Sequence, residues 1–157
     1  MNNKRRKYEG FTLTELMIII LIIGIITVLS LPNFGRFMQS CRLNGETQRF
    51  VSTLRTARSA AVMKNIDVVF TFDMDTNTYS YFEDTDRNGN IGNNEYQSAT
   101  YQLSPCISII AYTLSSTTLT FGAKGNTRES GSITMRNANN KTKNIRIYGG
   151  TGNITID

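Results

Sequence analysis

The sequence predicts an α+β chain in which one long N-terminal helix packs on a mainly antiparallel β-sheet domain. Three observations predict it. Apolar residues recur at helical spacing from about residue 13 to 64. From Asp67 the period drops to two, with turn residues between short runs. No alternation of strand and helix follows, which points to antiparallel pairing and away from βαβ units. Residues 66–157 number 92, enough for one modest core and too few for two.

The chain opens on a basic stretch, Lys4-Arg5-Arg6-Lys7, followed by an apolar run from Phe11 to Leu31. The run is 21 residues, roughly 32 Å as a helix, enough to cross a hydrocarbon core of about 30 Å. The basic stretch is expected on the cytoplasmic side, with everything after Leu31 on the other. Residues 28–36 carry no convincing small-x-small site, which argues against an ordinary cleaved secretory signal. A plain signal anchor is the better rival, but it leaves Glu15 unexplained. A carboxylate in hydrocarbon costs several kcal/mol unless it finds a partner, so Glu15 is a functional candidate.

Beyond Leu31 the helical signal continues. Phe34, Phe37, Cys41, Phe50, Leu54, Ala57 and Ala61 read as one buried face, with Arg36, Arg42, Glu46, Arg49, Arg55 and Arg58 largely elsewhere. Asn65 is the expected stop. The whole helix would measure roughly 78 Å at 1.5 Å per residue. Gly24 and Pro32 interrupt it, one through backbone entropy and the other through a lost hydrogen bond, with a kink expected at Pro32. Strands are expected at 68–72 and 78–82, joined by the turn Asp75-Thr76-Asn77, then at 98–103, 107–112, 117–121, 132–135, 144–148 and 153–156. The second half of the helix is expected to cover the sheet.

At Gly10, Phe11, Thr12, Leu13 and Glu15 the chain resembles the type IV prepilins and type II secretion pseudopilins. Their hallmark is a basic leader ending in Gly, then Phe, then an apolar stretch with Glu as its fifth residue. The resemblance implies the pilin fold, cleavage between Gly10 and Phe11 by a prepilin peptidase, and N-methylation of Phe11. It further implies that 1–10 is a leader, 11–31 a transmembrane and filament-core helix, 32–65 an amphipathic continuation, and 66–157 the β-rich domain. Residues 24–32 would be a soft segment. The chain would sit as a single-pass protein in the bacterial inner membrane, its C-terminal domain in the periplasm, before joining a filament. Partners would be other pilin or pseudopilin subunits, the peptidase and the inner-membrane assembly platform. Cleavage would create an amine at Phe11, and Glu15 of one subunit could then pair with the amine of its neighbour, each charge stranded without the other. The segment Ala57-Arg58-Ser59-Ala60-Ala61, followed by a strand, is similar to the helix end of the GspH/FimT group of minor subunits.

Residues 84–95, Asp-Thr-Asp-Arg-Asn-Gly-Asn-Ile-Gly-Asn-Asn-Glu, follow the twelve-residue calcium-loop template. Asp84, Asp86, Asn88 and Glu95 would supply side-chain oxygens and Asn90 its carbonyl, with Gly89 at the sharp turn. The other reading is a solvated loop between strands. No cofactor is required; calcium is the one candidate. Cys41 and Cys106 form a candidate disulfide from helix to sheet, with two buried free thiols as the alternative.

The net charge is +5, but the first ten residues hold four bases and one acid, so the remainder carries only +2. That is weak support for nucleic-acid binding. The alternative to a structural subunit is a DNA-binding minor pilin used in natural transformation. In this group such binding uses arginines near the C-terminus, and residues 150–157 carry none. Arg128, Arg136, Lys141, Lys143 and Arg146 are the remaining candidates for a basic patch. An enzyme is not expected: the chain has no histidine, no convincing nucleophile–base pairing and no phosphate-binding loop. The expected function is therefore a minor pilin or pseudopilin at the tip or initiating complex of a filament.

Overall fold

The computed structural model describes residues 10–157, and within them the backbone but not the side chains of 29–33. The leader expected over 1–10 thus lies, up to Glu9, outside the described residues. Helix α1 runs Leu13–Lys64. The chain divides into two compact units, Met1–Phe37 and Met38–Asp157.

In the first unit, α1 begins with Thr12 at its cap. The Glu15 N–H donates to the Thr12 hydroxyl at 3.2 Å and the Thr12 N–H donates to the Glu15 carboxylate at 2.9 Å. This is a capping box, which satisfies two donors that a helix start leaves without partners. Apolar side chains then cover every side of the helix, and those from Leu16 to Ile26 are exposed. The backbone stays helical through Gly24 and Pro32. Among the described residues no helix is long and apolar enough to cross a membrane. The apolar stretch with described side chains stops at Val28, short of the 21-residue run in the sequence.

In the second unit, α1 ends where Asn65 takes φ +56°, and the Ile66 N–H donates to the Ala61 carbonyl at 3.2 Å. That six-to-one bond with a left-handed residue beneath it is a Schellman stop. Eight strands follow: β1 Asp67–Asp73, β2 Thr78–Asp84, β3 Tyr101–Gln102, β4 Ile107–Tyr112, β5 Thr118–Phe121, β6 Gly131–Asn137, β7 Thr142–Tyr148 and β8 Asn153–Ile156. They form two four-stranded sheets, ordered β3-β2-β1-β5 and β4-β6-β7-β8, with every pairing antiparallel. The single expected sheet is corrected to two. The β1–β2 turn joins them: Asn77, at φ +52°, accepts the Leu103 N–H on its carbonyl and the Ile109 N–H on its side-chain oxygen.

One core lies between the helix and both sheets. Val68, Phe70 and Phe72 of β1, Ile133 and Met135 of β6, and Ile145 and Ile147 of β7 alternate inward at period two. Leu43, Phe50, Val51, Leu54, Ala57 and Ala61 meet them from α1. The Phe50 ring stands edge-on to Phe70 and Tyr79, with centroids 5.3 and 4.8 Å away.

Three expectations change here. Phe34, Phe37 and Cys41 are exposed and do not share the buried face. Cys41 precedes Phe50 by nine residues, which at 100° per residue places it half a turn away. The candidate disulfide is not formed: Cys41 and Cys106 are free thiols. The strand expected at 98–103 shrinks to β3, because Ser98 turns its hydroxyl to accept the Tyr81 N–H and leaves the regular ladder.

Candidate functional site

Two places hold the residues singled out from the sequence. The first is the start of α1. Gly10 and Phe11 lie outside the helix and are exposed, and the peptide bond between them is therefore two residues upstream of the capped turn. The Thr12 hydroxyl also donates to the same Glu15 oxygen at 2.8 Å, so Glu15 has two donors within its own chain. That local role for Glu15 is written in the Thr-x-x-Glu spacing, which is a capping-box signature.

The second is the loop after β2. Asp84 is buried and the following residues turn tightly, with Arg87 at φ +58° and Gly89 at φ +75°. The Asp84 carboxylate accepts the N–H groups of Asn88 and Gly89 at 3.0 and 2.9 Å. Asp86 accepts the N–H of Asn88, and the Asn88 side-chain oxygen accepts that of Asn90. Glu95 reaches back across the loop, accepting the Thr85 N–H at 2.6 Å and the Gly92 N–H at 2.8 Å. The result brings one oxygen from each of Asp84, Asp86 and Glu95 within 4.8 Å of one another. Burial pushes the Asp84 carboxyl above its ordinary range, against the pull of the Gly89 N–H. The Gly92 N–H holds Glu95 below its own. Hard oxygen donors at this spacing suit a calcium-sized cation, and a cation would offset the cost of keeping Asp84 charged.

The basic residues of 128–146 do not gather. Arg136 and Arg146 stand on the outward face of their sheet, Lys143 pairs with Met135 on the other, and Arg128 lies in the β5–β6 loop. Arg146 is engaged by Asp157 at 2.8 Å.

Arg58, which its spacing places off the buried helix face, has a structural role that the sequence does not reveal. It reaches from α1 to the Gly125 carbonyl at 2.8 Å and to the Thr151 carbonyl at 3.0 Å, tying two loops to the helix. A Cβ on Gly152 would lie 2.1 Å from the Gly125 oxygen, so that junction admits only glycine at φ +61°. Arg58 is the arginine of the Ala57-Arg58-Ser59 segment.

Comparison with known proteins gives this architecture its family. Residues 5–31 match the prokaryotic N-terminal methylation motif. Residues 46–151, two-thirds of the chain, match the family described as type II transport protein GspH. The chain belongs to the GspH family. Its fold is similar to those of a minor pseudopilin and a minor pilin. The minor pseudopilin EpsH from the type 2 secretion system of Vibrio cholerae superposes with a TM-score of 0.58 at 12% identity, covering 74% of this chain and 96% of that one. The type IV minor pilin FimU of Pseudomonas aeruginosa gives 0.60 at 15% identity, covering 77% and 92%. Fimbrial proteins of Pseudomonas aeruginosa are 33% identical over 61 residues, which is 39% of this chain and 39% of theirs. The chain thus aligns with about two-fifths of the length of those curated relatives. In this GspH-family chain, the methylation motif contains Gly10, Phe11 and Glu15, and the GspH match contains both the 84–95 loop and Arg58.

Proposed function

We propose that this GspH-family protein is a minor structural subunit of a type IV pilus or type II secretion pseudopilus, placed at the tip or initiating complex. The observation that carries the reading is the methylation motif at 5–31 on the same chain as a GspH domain at 46–151. A prepilin peptidase cuts between Gly10 and Phe11, and the new amine is methylated. The run from Phe11 to Leu31 anchors the subunit in the inner membrane, with the β domain on the periplasmic side, until the assembly platform moves it into the filament. There Glu15 leaves the Thr12 cap and pairs with the Phe11 amine of the adjacent subunit. Both charges are then neutralised in apolar surroundings, whereas removing one strands the other. Glu15→Ala and Glu15→Val are expected to lower incorporation into filaments while membrane insertion stays intact. Incorporation at the parental level would remove the pairing from the account.

The 84–95 loop is proposed as a calcium site, supported by the oxygens of Asp84, Asp86 and Glu95 within 4.8 Å of one another. Asn88 and the Asn90 carbonyl complete the set. Adding calcium is expected to raise the melting temperature of the parent, by more than magnesium does. Glu95→Gln should abolish the rise. A melting temperature indifferent to calcium would dismiss the site.

A further inference from the structure

The 84–95 loop has a neck, and a cation from α1 sits on it. Glu83 and Tyr96 are the residues just outside the two ends of the loop. The Glu83 N–H donates to the Tyr96 carbonyl at 2.9 Å. Phe82 then bridges Gln97, and the Ser98 N–H donates to the Tyr81 carbonyl at 2.9 Å, so the returning chain runs antiparallel to β2. Lys64 stands in the last turn of α1. Its ammonium donates to both Glu83 oxygens, at 2.6 and 2.9 Å, and lies 5.6 Å from the centre of the Tyr96 ring. One side chain of the helix thus grips both ends of the loop.

Glu83 is buried, whereas the Lys64 side chain is about half exposed. An ion pair in water is worth little, but a buried carboxylate that loses its cation is left stranded. The closed neck therefore depends on Lys64. Asp84 and Glu95, the first and twelfth positions of the loop, are each bonded directly to a neck residue. Fixing the neck fixes the spacing of these two acids before any ion arrives, so less order has to be imposed on binding.

We propose that Lys64 clamps the neck of the 84–95 loop and so sets its affinity for calcium, calcium in turn holding the last turn of α1. Lys64 is a positioning residue, acting through Glu83 and Tyr96. Its role rests on the calcium site proposed above. Coulomb's law alone gives the opposite sign, since removing a cation near a cation site tightens binding.

The test is calorimetric titration with calcium of the full chain in detergent micelles, stripped beforehand with a chelator, beside amide hydrogen exchange of the metal-free protein. Lys64→Met with Glu83→Gln removes both charges and leaves the net charge as it was. This double variant is expected to bind calcium about tenfold more weakly, and its Glu83 amide to exchange about tenfold faster without metal. The amide of Ile145, in the other sheet, should keep its rate. Lys64→Met alone should also weaken binding. In the parent, calcium should slow exchange at Ile66, whose N–H closes the helix end. Parental calcium affinity in the double variant, tighter binding in Lys64→Met, or unchanged exchange at Glu83 would each overturn the proposal. A parent that takes up no calcium removes the calcium site and the inference with it. A parent that binds calcium no more tightly than the double variant removes the inference alone.

Discussion

Arg58 ties two distant loops to the helix through a single side chain. Its guanidinium bridges the carbonyls of Gly125 and Thr151, and Gly152 sits against the same oxygen. Removing it leaves two acceptors short, so Arg58→Ala is expected to cost about 1–3 kcal/mol in urea unfolding. Gly152→Ala should cost about 2 kcal/mol or more, from the clash and the left-handed backbone together. Parental stability in both would refute the clamp. Asp84 carries a different prediction. Its folded pKa lies above the unfolded value because of burial. Its stabilising contribution is therefore present below the unfolded pKa and lost as the pH rises through the folded one. The charged form is a cost to the metal-free loop. Calcium reverses that sign by favouring the ionised carboxylate. Glu95, held low by the Gly92 N–H, contributes above its unfolded pKa and loses that contribution as the pH falls through the folded one. The calcium-induced rise in melting temperature should thus be full at neutral pH and shrink as the pH enters the carboxylate range. A rise that grows on acidification would contradict this.

At the level of elements, α1 closes the core through one row of side chains. Phe50 is fully buried and touches two aromatic rings. Phe50→Ala should cost about 3–5 kcal/mol, readable as an early urea midpoint, while Phe37→Ala, on an exposed position, should cost little. The strands from Ile107 to Tyr112 and from Asn153 to Ile156 were legible to the residue, because alternation and flanking turns are local signals. So was the helix stop at Asn65. Which strands pair was not legible, since β5 joins β1 across a long stretch of intervening chain and nothing local records it. The phase of the buried helix face was misread for a definite reason. Each three-residue step falls 60° short of a turn, and three such steps separate Cys41 from Phe50. The calcium-loop spacing and the Gly10-Phe11-Glu15 spacing were both visible, but the Arg58 clamp was not, because its acceptors are backbone carbonyls 67 and 93 residues away.

Across the whole molecule, the second half of α1 shares one core with the two sheets, while the apolar residues from Leu16 to Ile26 in its first half are exposed. Such a stretch needs a lipid or protein environment, and family membership supplies the reason for one. The Thr12–Glu15 box gives the carboxylate a partner within its own chain, and in the proposed assembly cleavage after Gly10 would supply the amine that competes for it. The processing step therefore sits upstream of the proposed Glu15–amine pairing. Co-expression with a prepilin peptidase, followed by intact mass and N-terminal sequencing, tests it most directly. The account predicts a chain that starts at an N-methylated Phe11. A chain that still starts at Met1, or one that starts beyond Leu31, would contradict it.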